Sequence, residues 1–230
     1  MHPVICKIGP FTIYSYGLML AVAFLAGSFL ARKQAEKQNV NPDIIFNLAF
    51  IVFISGIIGA RLLYIIEHLN FYIKNPLEII ILPAGGLSWF GGLIFGVIFG
   101  IAYLKKKNLS IYKTLDLIVP FVPLGQSIGR IGCLLNGCCF GRTIIPTQIY
   151  SSLILISIFI ILRLLQDRPH RQGQVFFIYL ILYSLKRFFI EFWRQDNEII
   201  LFGLTLFQFF SILAFLMALF GLILIRKSKA

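Results

Sequence analysis

Along this chain polar residues are the exception, and they fall at intervals. Apolar runs long enough to cross ~30 Å of hydrocarbon occupy residues 11–31, 43–66, 85–104, 114–135, 148–165, 174–193 and 201–225. At ~1.5 Å rise per residue, runs of about this length suit membrane-spanning helices. They predict an all-α membrane protein of about seven transmembrane helices, a single integral-membrane domain over residues 1–230. The third run opens with "AGGLSWFGG", a Gly and Ser content that allows it to enter as a partly broken segment. The same run holds Gly92, Gly96 and Gly100 in a G-x-x-x-G-x-x-x-G ladder, read here as close helix packing in lipid.

The breaks between the runs set the orientation. "RKQAEK", "KKKNLSIYK", "RLLQDRPHR" and the tail "RKSKA" hold 13 of the 21 Lys and Arg residues, and each follows an odd-numbered run. By the positive-inside rule those loops are cytoplasmic, which puts the N-terminus outside and the C-terminus inside. An odd number of spans requires the same opposition. Composition agrees: 59% hydrophobic residues, 13% charged and a mean hydropathy of +0.89 exclude a soluble domain, which carries about 25% charge. The net charge of +12 is no sign of nucleic acid, because the cations form small clusters between apolar runs instead of a basic face. The opening "MHPVICKIGPFTIY" lacks a basic n-region and a cleavage site after a short apolar core, so no removed signal peptide is expected.

Some ionisable residues lie inside the runs, where each costs about 2.5–3.5 kcal/mol on insertion scales and is expected to face the bundle interior or a cavity. Among these are Arg61, Arg130, Lys186, Arg187 and Glu191, with Arg142 just beyond the fourth run. Gln126, Arg130 and Cys133 share one face of the fourth predicted helix. Tyr183, Arg187, Glu191 and Arg194 share one face of the sixth, with Arg187 and Glu191 spaced to pair. Arg130, ~16 residues into a helix that starts inside, lies ~24 Å across, near the outer leaflet. Glu191 and Arg61 reach a similar level. Arginine at that height suits a lipid phosphate, because guanidinium binds it bidentately. The alternative is a purely structural ion pair.

Six stretches in order resemble one family, the phosphatidylglycerol–prolipoprotein diacylglyceryl transferases, bacterial enzymes that lipidate the lipobox cysteine of prolipoproteins. "GPFTIYSYGLML" is similar to its first-span entrance, with Tyr16 and Gly17 in the Tyr-Gly position, and "GARLLYII" to its second-span arginine segment, giving Arg61. "PAGGLSWFGGLIFG" resembles its Gly-Gly-x-Ser-Phe-His-Gly-Gly block, and "GRIGCLLNGCCFGR" its signature G-R-x-G-N-F-x-N-G-E-x-x-G-R. "PTQIYSS" resembles the segment after the signature, and "YSLKRFFIEFWRQD" the Tyr-x-x-x-Arg-Phe-x-x-Glu-x-x-Arg block. The resemblance implies catalytic roles for Arg130, Arg187, Glu191 and Tyr183. It implies substrate binding by Arg142, Asn136, Gly137, Gly141, Tyr16, Arg61 and Cys138. Phe90 departs from the family histidine, Cys133 from the first signature asparagine and Cys138 from its glutamate.

The implied reaction moves the diacylglyceryl group of phosphatidylglycerol to a thiol, forming a thioether and releasing glycerol-1-phosphate. The implied partners are phosphatidylglycerol and the prolipoprotein signal peptide, in the bacterial cytoplasmic (inner) membrane. No cofactor or metal is implied. Arg130, Arg142 and Arg187 suit the departing phosphate. Glu191 suits the orientation of Arg187, since a carboxylate paired with arginine is a poor proton acceptor, and glycines around Asn136 let backbone approach the headgroup. His2, His68 and His170 are poorly placed as bases, and His68 is the one weighed as a substitute. The arginine field itself is expected to ionise the substrate thiol. Three of the four cysteines lie in the signature. They are read as small polar packing residues, against a disulfide involving Cys6, Cys138 or Cys139, a zinc site short of one ligand, and covalent participation by Cys138. A non-catalytic lipid-binding or transport homologue is the alternative function. A channel is disfavoured, because the charges gather at one level.

Overall fold

The computed structural model describes residues 3–8, 11–79, 86–138, 141, 146–194, 199–201 and 203–227. The described residues form nine α-helices and two antiparallel hairpins, divided between two compact units: residues 1–34 with 112–230, and residues 35–111.

In the first unit, strand β1 (Val4–Ile8) pairs with β2 (Phe11–Tyr14), and helix α1 (Ser15–Lys37) follows directly. The first predicted span thus begins four residues late, because residues 11–14 satisfy their backbone in a hairpin. Ser15, 1% exposed, fastens the junction by donating its backbone N–H (3.0 Å) and its hydroxyl (3.2 Å) to the Pro3 carbonyl.

The fourth predicted span is the broken one. It forms α5 (Ile111–Ile118) and α6 (Phe121–Asn136), bent by 44°. Proline at 120 lacks an N–H and crowds the carbonyl four residues back, which is that of Asp116. Gln166 repairs the damage: its Nε2 donates to the Asp116 carbonyl at 2.8 Å and to the Leu117 carbonyl at 2.9 Å. Gln166 ends α7 (Thr147–Gln166), which packs along α6 through a buried Ser127–Ser152 hydroxyl bond of 2.8 Å. Helix α8 (Gln174–Glu191) packs on α7, with Val119, Ile158, Leu162, Val175 and Tyr179 as a buried core.

Asp116 also caps α8. Its carboxylate accepts from the backbone N–H of Gly173 (2.5 Å) and of Phe176 (2.8 Å), and His170 lies 3.9 Å away. A negative group is well placed where a helix leaves N–H groups unpaired. Beyond α8, strands β3 (Ile199–Leu201) and β4 (Leu204–Thr205) lead into α9 (Leu206–Lys227). A reciprocal cap starts α9: Thr205 N donates to Gln208 Oε1 at 2.9 Å and Gln208 N to Thr205 Oγ1 at 3.4 Å, the arrangement expected of T-x-x-Q.

The second unit holds α2 (Pro42–Glu67), the short α3 (Leu69–Lys74), a 3-10 turn (Pro76–Ile79) and α4 (Trp89–Lys106). Asn41 accepts from Asp43 N at 2.9 Å and Pro42 opens α2, both ordinary start signals. The glycine ladder packs as expected. A methyl added at Gly92 would lie 3.2 Å from the Gly56 carbonyl, and one at Gly100 3.1 Å from Val52. The tightest approach is one step off the ladder, where Gly59 and Gly91 admit each other's backbone. Helix α4 runs unbroken from Trp89, residues 86–88 at the Gly- and Ser-containing opening are not helical, and residue 85, the first of that predicted run, lies outside the described residues.

Five described helices are long and apolar enough to cross a bilayer, or six if the bent α5–α6 pair crosses as one. Helix α8 has 18 residues but carries Lys186, Arg187 and Glu191, and its charge sets it apart from the rest. The protein is a multi-pass membrane protein.

Candidate active site on helices α6, α8 and α9

Glu191 closes the last turn of α8 with its side chain 0% exposed, and Arg187 one turn earlier pairs with it at 3.2 Å. A buried pair of this kind needs further partners to offset its desolvation, and α9 supplies them. Thr205 Oγ1, while capping α9, donates to Glu191 Oε1 at 3.1 Å. The Phe207 ring lies under the Arg187 guanidinium, 4.5 Å from centroid to carbon, a favourable cation–π placement. The ion pair is thereby fixed from two helices.

Arg130 on α6 and Lys186 and Arg187 on α8 lie within electrostatic reach of one another, as does Arg194. One turn before Arg130, Gln126 makes a side-chain hydrogen bond with Tyr179, so this face of α6 is turned toward α8. Tyr183 stands between: its ring lies 5.7 Å from that of Tyr179 and 5.5 Å from Lys186 Nζ. Lys186 is 6% exposed. Arg130 is half-buried, and no acid or hydrogen-bond acceptor among the described residues holds its guanidinium.

Below Arg130 the signature turns away. Gly137 takes φ +78° and ends α6, while Gly137 N and Cys138 N both donate to the Cys133 carbonyl at 3.1 Å. The left-handed residue is the reason for glycine there. Asn136 is exposed at this end, and Gln148 of α7 donates to the Cys138 carbonyl. Gly141 forms an antiparallel bridge with Arg194, and a Cβ on Gly141 would meet the Trp193 carbonyl at 2.5 Å as well as Thr147. The bridge joins the end of the signature to the end of α8. Arg194 therefore does not continue the helical face predicted for it: α8 stops at Glu191, and Arg194 N donates to the Glu191 carbonyl at 3.2 Å.

Tyr16 lies in the first turn of α1. A Cβ on Gly132 of α6 would meet Met19 at 2.9 Å and the Tyr16 ring at 3.5 Å, so the glycine admits α1 to this part of α6. Cys138 Sγ lies 3.7 Å from the Cys133 carbonyl, and Cys6 is exposed on β1. Arg142 and Cys139 lie outside the described residues.

Arg61 belongs to the second unit and has another employment. The residue is 8% exposed, and its guanidinium donates to the carbonyls of Glu78 (2.7 Å), Gly86 (3.1 Å) and Ile79 (3.5 Å) and lies 5.3 Å from the Tyr72 ring. The loop takes donors that the sequence reading assigned to a headgroup. His68, in the same unit, stacks on Tyr64 with ring centroids 4.2 Å apart, and Phe90 packs on Trp89 at 5.3 Å. Sequence reasoning passed over Thr205 and Phe207, although the "TLFQ" capping pattern marks the helix start that holds the ion pair.

The family model described as prolipoprotein diacylglyceryl transferase matches residues 3–224 of the chain. Among curated relatives, a phosphatidylglycerol–prolipoprotein diacylglyceryl transferase of Clostridium tetani is 36% identical, with 96% of each chain covered. Proteins of the same name from Clostridioides difficile and Staphylococcus aureus are 34% and 32% identical, covering 79% and 100% of this chain and 79% and 90% of their own. With three arginines gathered about Lys186, one of them paired to a buried carboxylate, and a match running nearly end to end, the chain belongs to the prolipoprotein diacylglyceryl transferase family.

Proposed function

We infer that this chain transfers the diacylglyceryl group of phosphatidylglycerol to prolipoprotein. The acceptor is the lipobox cysteine thiol, the products are a thioether and glycerol-1-phosphate, and the setting is the bacterial cytoplasmic membrane. One observation carries the assignment of the site: three arginines, Arg130, Arg187 and Arg194, gather within electrostatic reach of Lys186 on α8, and a single described acid, Glu191, pairs with Arg187. An excess of cations in a half-buried place is complementary to an anion. Lipid phosphate is the anion that a membrane supplies.

The carbon–oxygen bond to phosphate breaks as sulfur attacks carbon, and charge grows on the departing oxygen. Fixed positive donors stabilise that charge more than the ground state. Arg130, with donors open among the described residues, takes the phosphate. Arg187, held by Glu191 and Phe207, meets it already oriented. Tyr183 lines the approach, and Asn136, Gly137 and Gly141 shape the backbone beside it. Cys138 packs there, and Arg142 is proposed as a further phosphate ligand. Arg61 is better read as an anchor of its own loop.

Purified protein in liposomes with labelled phosphatidylglycerol and a lipobox peptide should yield the thioether and labelled glycerol phosphate. Binding without product would make it a lipid-binding homologue instead. We also propose seven spans, counting α5–α6 as one and adding α8, with the N-terminus outside. The loops that follow odd-numbered spans carry the support, through their Lys and Arg clusters. A reporter at the C-terminus should read cytoplasmic and one near Asn75 external; the reverse at Asn75 would overturn the count.

A further inference from the structure

The phosphate clamp leaves one demand of the reaction unmet. The substrate thiol must lose its proton before sulfur attacks. Guanidinium groups stay protonated and cannot accept it. Glu191 is engaged by Arg187 and Thr205, and His170 faces Asp116 at the opposite end of α8.

Lys186 remains. It is 6% exposed on the helix of Arg187 and Glu191, within electrostatic reach of Arg130 on α6, Arg187 beside it and Arg194 beyond the helix. Its Nζ lies 5.5 Å from the Tyr183 ring, and among the described residues no carboxylate pairs with it. Among these neighbours it alone is a base that can exist uncharged, and buried lysines are the ones that serve as general bases. A lysine here for packing alone would be a costly choice in a membrane protein.

We propose that the Lys186 amine accepts the proton of the lipobox thiol. The Nζ lone pair takes the hydrogen, and sulfur keeps the bonding pair. That pair forms the bond to the glyceryl carbon that carries the phosphate. The carbon–oxygen bond breaks, and the oxygen leaves with its electrons as glycerol-1-phosphate, held by Arg130 and Arg187. The ammonium then returns its proton to the released phosphate, so charge and atoms balance. The assignment rests on the phosphate clamp described above.

The test uses the full chain in phosphatidylglycerol liposomes with a lipobox peptide. Lys186→Met and Lys186→Arg should each lower kcat/KM at least ~100-fold, with phosphatidylglycerol binding within about threefold of wild type. A peptide with selenocysteine at the acceptor position, whose selenol is already ionised, should restore at least ~10-fold of the loss in either variant. Lys186→Arg with wild-type turnover would show that charge alone is needed and overturn the proposal. Equal losses on thiol and selenol peptides would overturn it too. Should Lys186→Met fail to accumulate, the arginine variant decides by the same readings. Failure of the clamp reads out separately, as an Arg130→Lys variant that binds and turns over like wild type.

Discussion

Arg61 and Arg130 look alike in the sequence, each a lone arginine late in an apolar run, and their surroundings differ in kind. Arg61 spends its fork on carbonyls 17, 18 and 25 residues away along the chain. Arg130 meets other cations, and no acceptor holds it among the described residues. An arginine whose donors are taken by backbone holds a loop. One with open donors among like charges is arranged for an anion that arrives from outside. Position in an apolar run does not distinguish the two; the partners do.

The largest effect should come from the pair that orients the clamp. Arg187→Ala leaves a carboxylate that is 0% exposed without its counter-charge, a loss of about 3–5 kcal/mol. Glu191→Ala should be nearly as harmful, and the double variant should fall well short of the sum, as contacting residues do. Additive losses in a turnover cycle would break the unit apart. Next comes Arg130→Lys, which keeps the charge and loses the planar fork. Turnover should fall at least ~10-fold, about 1.4 kcal/mol, with thermal stability unchanged. The smallest effect on turnover should be that of Arg61→Lys, under about threefold, while its melting temperature falls because one ammonium cannot serve carbonyls on two sides of a loop, at about 1–3 kcal/mol. Equal turnover losses at Arg61 and Arg130 would erase the distinction drawn here.

The sequence made some of this legible. Span limits such as 43–66 against Pro42–Glu67 agree because a long apolar run is also the physical requirement for crossing lipid. Arg187 with Glu191 could be read from helical spacing alone. The bend at Pro120 carried a signal that was passed over, since an apolar count ignores backbone donors. Arg61's partners could not be read at all. They depend on where a later loop returns, and no local pattern records that. The same holds for Thr205, whose hydroxyl serves two helices at once.

The carboxylate that caps α8 has a consequence for assembly. Asp116 precedes Gly173 by 57 residues, so during synthesis the cap is in place well before the helix it will start. A helix burdened with lysine, arginine and glutamate is a poor candidate to enter lipid alone. Its first N–H groups have their acceptor on a segment synthesised before it. The order of the chain thus bears on biogenesis: the acceptor for the start of the charged helix is made before it, and one strongly apolar helix, α9, follows it.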